Sequence, residues 1–190
     1  SVRHRIGSLR RLSFHIPRAC LSPIAMAIIS SKIRYGIGIF GPVKKSHSDP
    51  VPGMMRDLQV AMNDAMRIAT GSRLRDRVSV LEVLERTGFC SVNHMSAQNK
   101  LMLAWHAINV PNSPLREAFV SEQDDSAPAS RSKSRGDVRT TARTGLGQQN
   151  FPNSAIRLWN ITPTELRECV KKSSAKRMIK AHIVNCIPIL

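Results

Sequence analysis

The residues most able to do chemistry in this chain are few. Asp124 and Asp125 form its only acidic dyad. Adjacent carboxylates can hold Mg²⁺ for phosphoryl transfer. In polymerases, however, such a pair sits on a tight hairpin between apolar strands. Here it lies in Ser-Glu-Gln-Asp-Asp-Ser-Ala-Pro, a polar stretch that reads as a solvated loop. Cys90 with His94, and His182 with Cys186, are each spaced by four, so each pair could share a helix face and offer two zinc ligands. Two ligands do not make a site, and core cysteines beside ordinary histidines are the better reading. No G-x-S-x-G elbow and no G-x-x-x-x-G-K-[ST] loop is present. Gly36 and Gly38 begin like a dinucleotide-binding turn, but they close a helix instead of following a strand.

Basic side chains are the more informative chemistry. Of 190 residues, 29 are Lys or Arg and 13 are Asp or Glu, a formal charge of +16. That balance attracts polyanions such as RNA, DNA or an acidic surface. The charge is unevenly placed. Residues 1–45 hold nine basic groups and no acid, and residues 54–110 hold seven basic and five acidic. Arg10, Arg11, Lys32 and Arg34 stand in the first segment, and Arg73, Arg75 and Arg77 in a loop between two helices. Lys171, Lys172, Lys176, Arg177 and Lys180 crowd the tail. Such groups on a helical scaffold suit phosphate contact, which positions a duplex without reading its bases. Aromatics are only 4% of the chain, which argues against binding that rests on rows of stacked bases.

The elements that must position these groups are helical. Ile6, Leu9, Leu12 and Phe14 give a short apolar stripe. Pro17 then opens a second helix carrying Cys20, Leu21, Ile24, Ile28 and Ile33, which ends between Gly36 and Gly41. Residues 43–53 form a loop. Leu58, Met62, Ala65, Met66 and Ala69 mark one buried face of a helix over 54–70, with Gly71 as its stop. Ser79 and Glu82 form a capping box for a short helix ending at Gly88, and Ser91 caps another over 92–109. Residues 154–160 give a short helix, Thr162 with Glu165 a second capping box, and 174–184 the last helix. No alternating strand pattern occurs, so the class is mostly α: an irregular helical bundle over 1–110, a flexible polar linker over 111–150 and a small helical segment over 151–190.

The longest apolar stretch, from Ile24 to Phe40, is interrupted by Lys32 and Arg34 and reads as too short and too charged to span a bilayer. Four cysteines without a C-x-x-C pair read as reduced intracellular thiols, in nucleus or cytoplasm. The first 20 residues are Arg-rich and acid-free like a transit peptide, but they run straight into a core-like helix.

The order of these segments resembles a known family. Leu9-Arg10-Arg11-Leu12-Ser13-Phe14-His15-Ile16-Pro17 and then Ser31-Lys32-Ile33-Arg34-Tyr35-Gly36-Ile37 look like the region just after the polymerase palm in reverse transcriptases of non-LTR (LINE-like) retrotransposons. Leu58 through Asn63, Met66-Arg67 and Thr70-Gly71-Ser72-Arg73 are similar to the next stretch. Leu84 through Gly88, Ser91-Val92-Asn93 and Trp105 keep the same order. Phe151 through Asn160, with Ala175-Lys176 and Ile179-Lys180, resembles the C-terminal end of those reading frames.

The resemblance implies a thumb-like helical region that grips an RNA–DNA template–primer duplex beside the palm of the same polyprotein. The parent activity is RNA-directed DNA polymerase, a nucleotidyltransferase whose aromatic-x-Asp-Asp carboxylates lie in that palm with Mg²⁺. Asp124-Asp125 does not match that motif in position or context, so the resemblance implies a fragment with no cofactor and no catalytic residue of its own. The start at Ser1 rather than Met agrees with that expectation. Arg10, Arg11, Lys32, Arg34, Arg73, Arg75 and Arg77 are the expected duplex contacts. Without a palm, Ile24, Ile28 and Ile33 are expected to lie exposed and to promote aggregation. The alternative is a stand-alone, non-catalytic basic helical module that binds RNA or another protein. A palm encoded directly upstream would favour the first reading, and a start codon there the second.

Overall fold

In a computed structural model of the chain, residues 2–44, 46, 52–76, 78–119, 144 and 151–189 are described. They form α1 (Val2–Leu12), α2 (Arg18–Ala25), a π-helical turn (Met26–Ser30), α3 (Ser31–Phe40), α4 (Gly53–Thr70) and a 3₁₀ turn (Leu74–Asp76). These are followed by α5 (Val80–Thr87), α6 (Val92–Asn109), α7 (Arg116–Phe119), α8 (Asn153–Asn160), α9 (Thr164–Arg167) and α10 (Lys172–Cys186). No strand occurs among the described residues, and the fold is a mostly α helical bundle. It divides into two units. The first is Ser1–Ile37, Lys44–Met95 and Pro188–Leu190; the second is Gly38–Val43 and Ser96–Ile187. The tail 151–187 thus shares its unit with most of α6, and the division falls inside α6.

The first unit is built on α4. Met55, Gln59, Met62, Met66 and Ala69 recur at alternating spacings of four and three and are buried along one face, the pattern of a helix with one covered stripe. Gly71 ends the helix at φ 72°, a conformation that costs glycine nothing. A Cβ there would also collide with the Arg18 guanidinium, so the guanidinium lies against the end of α4. α5 starts as expected: Ser79 Oγ accepts from Glu82 N at 3.1 Å. Glu82 itself turns to Arg86 instead of reaching back to Ser79, so only half of the capping box forms. Ser79→Ala is expected to cost about 1 kcal/mol, measured as a lower midpoint of thermal unfolding.

The run through α2 and α3 buries Leu21, Ala25, Ile29, Ile33 and Ile37, a strict spacing of four. In a regular α-helix that spacing drifts by about 40° per step. The π-helical turn at Met26–Ser30 holds more residues per turn and corrects the drift. A break at Tyr35 (ψ 107°) and Gly36 (φ 84°) resets it again. Arg5 Nη1 donates to Ile28 O at 3.2 Å, inside the π turn. Ile33 is 3% exposed and Ile24 and Ile28 pack against the same core, so the expectation that these three lie open is corrected: α1 and α4 cover them.

Two residues of the expected apolar stripes point outward. Phe14 is 81% exposed, because α1 ends at Leu12 and the turn after it breaks the helical progression. Cys20 is exposed because its neighbour Leu21 faces the core. The helical run Arg18–Phe40 has 23 residues, longer than the stretch counted from Ile24, and is long and apolar enough to cross a membrane (mean hydropathy 1.2). That corrects the reading that it is too short. Its buried stripe, described above, accounts for only part of that apolarity: Met26, Ile39 and Phe40 are exposed.

Asn93, at the start of α6, ties distant chain together. Its Nδ2 donates to Lys44 O and Pro188 O, both at 2.8 Å, and its Oδ1 accepts from Lys44 N at 2.9 Å. Gln59 Oε1 accepts from Val92 N at 2.8 Å, and Ser91 Oγ accepts from His94 N at 3.1 Å, so the first turn of α6 has its donors satisfied.

In the second unit, Leu101, Trp105, Phe119, Ile156, Leu158, Trp159, Leu166, Ile179 and Ile183 are buried in one cluster. Trp105 Nε1 donates to Cys169 O at 2.7 Å. Gly38 permits a close approach: a Cβ there would stand 2.8 Å from Asn99 Cβ. The expected Thr162 cap does not form. Thr162 Oγ1 donates back to Trp159 O at 2.7 Å, and Pro163 is the residue that precedes α9. Arg167 donates to Asn160 O and Thr162 O, satisfying carbonyls that α8 leaves open at its end. The greater part of the expected linker, residues 120–143 and 145–150, lies outside the described residues.

Candidate nucleic-acid interface

Six of the seven expected contacts belong to the first unit as described residues; Arg77 lies outside them. Arg10 and Arg11 occupy the last turn of α1, the negative end of its dipole, which suits cations. Both are exposed. Lys32 is exposed on α3, with its Nζ 5.9 Å from the centre of the Tyr35 ring, a cation–π contact. Arg34 is half-buried. Arg73 and Arg75 are exposed in the turn after α4. That turn is fixed by Asp76, whose Oδ2 accepts from Arg73 N at 2.6 Å.

The structure adds Arg18 to this group. Its guanidinium rests on Gly71, two residues before Arg73, so the start of α2 and the end of α4 bring three arginines into one region. Arg10, in contrast, lines a cleft between α1 and α4 together with Arg3, Asp57 and Asp64. Two carboxylates beside it weaken its pull on a phosphate. Arg5 spends a donor on Ile28 O and acts in the fold. No hydrogen bond or ion pair joins any two of Arg10, Arg11, Lys32, Arg73 and Arg75, and among the described residues none of them is ion-paired or hydrogen-bonded to a carboxylate through its side chain.

Reading residue types missed two aromatic side chains. Phe14 is 81% and Tyr35 86% exposed, beside Arg10–Arg11 and Lys32 respectively. An exposed ring flanked by cations can stack on a base while its neighbours hold phosphates. Their share of the composition hides them, because what counts is exposure.

In the second unit, Lys171, Lys172, Lys176, Arg177 and Lys180 are all exposed, along and just before α10. Lys100, one of the seven basic groups of residues 54–110, is not on the surface. It is fully buried in α6, its Nζ donates to Ser154 Oγ at 2.8 Å, and it lies 5.6 Å from the centre of the Phe151 ring. Burial without a carboxylate lowers its pKa to about 8. Lys100 stands three after Ala97 and four before Ala104, both buried, and that spacing was the signal.

Neither Cys/His pair gathers a third possible metal ligand among the described residues. His94 is buried, while Cys90 precedes the helix. Cys186 Sγ is 3.7 Å from His182 Nδ1 on the exposed end of α10, and burial lowers the His182 pKa. Among the described residues no group of three or more His, Cys, Asp or Glu side chains could hold a metal ion. Asp124 and Asp125 lie outside the described residues. No protein-family model, no curated protein and no solved structure matches the chain.

Proposed function

We propose that the chain holds a nucleic-acid duplex through its phosphates, as the post-palm, thumb-like part of a retrotransposon reverse transcriptase. In that role it binds the RNA–DNA template–primer while a palm elsewhere in the same polyprotein, with its own Mg²⁺, does nucleotidyl transfer. The work would take place inside the cell, in nucleus or cytoplasm. The observation that carries the reading is the set Arg11, Lys32, Arg73 and Arg75: cations of one unit, exposed, whose side chains meet no carboxylate among the described residues. A structural cation usually finds a carboxylate or a carbonyl, as Arg5, Arg86 and Arg167 do. Four that do not are available to phosphates.

Binding of a fluorescent RNA–DNA duplex, followed by anisotropy, tests this. Each phosphate contact adds about 0.9 to the slope of log affinity against log salt. Four contacts give a slope of about −3.6, a loss of roughly 150-fold between about 50 and 200 mM salt. The combined variant Arg11→Gln, Arg73→Gln, Arg75→Gln is expected to flatten the slope by about 3 and to weaken all sequences alike. An affinity that ignores ionic strength rules the proposal out.

A further inference from the structure

The cleft between α1 and α4 encloses about 330 Å³ and is arranged by charge. Arg3 and Arg10 line it from α1, and Asp57 and Asp64 line it from α4. Each pair is spaced by seven, two turns of helix or about 10 Å, which keeps both members on one face. Between them lie Gly7 on one side and Val60, 53% exposed, on the other. Among the described residues none of the four charged side chains makes an ion pair or hydrogen bond, within its own wall or across the cleft. A basic wall and an acidic wall of equal length therefore face solvent side by side, each unneutralised.

We infer that this cleft is where a second copy of the chain docks. A twofold axis running along the cleft would lay α1 of one copy over α4 of its partner. Rotation about that axis shifts nothing along it, so the basic wall of each copy lies over the acidic wall of the other, twice over by symmetry. An axis across the cleft would set arginine on arginine and is excluded by repulsion. The surface is thus complementary to itself, which a patch of a single sign never is. Facing helix pairs also give Val60 and the open space at Gly7 a neighbour, as in a four-helix arrangement.

The contact is small. α1 is about 16 Å long, and two helices span about 20 Å, so each copy covers a few hundred Å², below the roughly 800 Å² of a standard interface. The +16 charge of each chain opposes approach as well, although at about 0.15 M salt its reach is about 8 Å. The pair is therefore weak, with a dissociation constant in the tens of micromolar, about 6 to 7 kcal/mol.

Sedimentation velocity of the full chain from about 5 to 200 µM, without nucleic acid, reads this directly. Wild type is expected to self-associate. Arg3→Glu/Arg10→Glu makes the cleft all acidic, and Asp57→Lys/Asp64→Lys makes it all basic; each alone is expected to be monomeric. Mixed one to one, they are expected to pair at least as tightly as wild type, which also shows that both variants fold. A wild type that stays monomeric at about 200 µM, whether because the cleft takes another protein's helix or nothing, overturns the inference. So do variants that associate alone, or a mixture that does not. Because no nucleic acid is present, such a failure leaves the phosphate reading untouched.

Discussion

Leu9→Ala is expected to lower the stability of the first unit by about 3 kcal/mol, at the lower end of the usual range for a fully buried leucine. Leu9 is 0% exposed and belongs to the core that also holds Ile29, Met62 and Met66. The effect extends beyond a cavity. α1 has 11 residues, carries Gly7 and lacks an acid in its first turn. Helices of that length are marginal alone in water, below the roughly 12 to 15 residues that sustain themselves. Only Ile6 and Leu9 are buried on it, so docking through these two side chains is what makes it a helix. With Leu9 cut back, amide hydrogen exchange over residues 2–12 is expected to rise well before α4 opens. Arg10 and Arg11 would then lose their fixed positions, and duplex affinity would fall although neither arginine was changed. A stability loss under about 1 kcal/mol would mean that α1 does not depend on this contact.

Lys100→Met is expected to act in the opposite direction. In the folded chain the Lys100 amine titrates near pH 8, against 10.5 for a free lysine. Below pH 8 both folded and unfolded chains carry the charge, and the folded one bears the full cost of burying it. A difference of about 2.5 units corresponds to roughly 3 kcal/mol. Between pH 8 and 10.5 the unfolded chain binds more protons than the folded one, so stability climbs with pH and levels off above 10.5. Methionine fills similar space without a charge. Its variant loses the bond to Ser154 and the contact with Phe151, together worth about 1 to 2 kcal/mol. The net gain at pH 7 is therefore about 2 kcal/mol, and the climb between pH 8 and 10.5 disappears. Denaturant unfolding at pH 7 and pH 10 measures both. A wild-type stability that is flat over that interval would show that Lys100 is not buried as an unpaired amine.

The candidate site was legible in part. Arg10, Arg11 and Lys32 could be named from charge alone, because residues 1–45 hold no acid, and Arg73 and Arg75 from their clustering in a loop, although Asp76 stands beside them. Yet Asp57 and Asp64, about fifty residues away from Arg10, come to line the same cleft. Arg18 reaches Gly71 across a similar distance in the chain. No local pattern encodes those meetings. Phe14, expected in an apolar stripe, and Tyr35 stand exposed, which no spacing in the sequence shows.

The fold divides in the same way. Met62, Ala65, Met66 and Ala69 announce α4, Ser79 announces α5 and Gly71 and Gly88 announce the stops, because caps and helical periods act over four residues and are written in consecutive letters. By itself, then, the sequence determined the helical class, most helix limits and the acid-free basic first segment. Only the tertiary structure decided that Cys20 faces water and Leu21 the core, that Lys100 is buried, and that the division between the two units falls within α6. The physical reason is that a helix offers all its faces equally until a neighbour covers one, and the neighbours here are dozens of residues away.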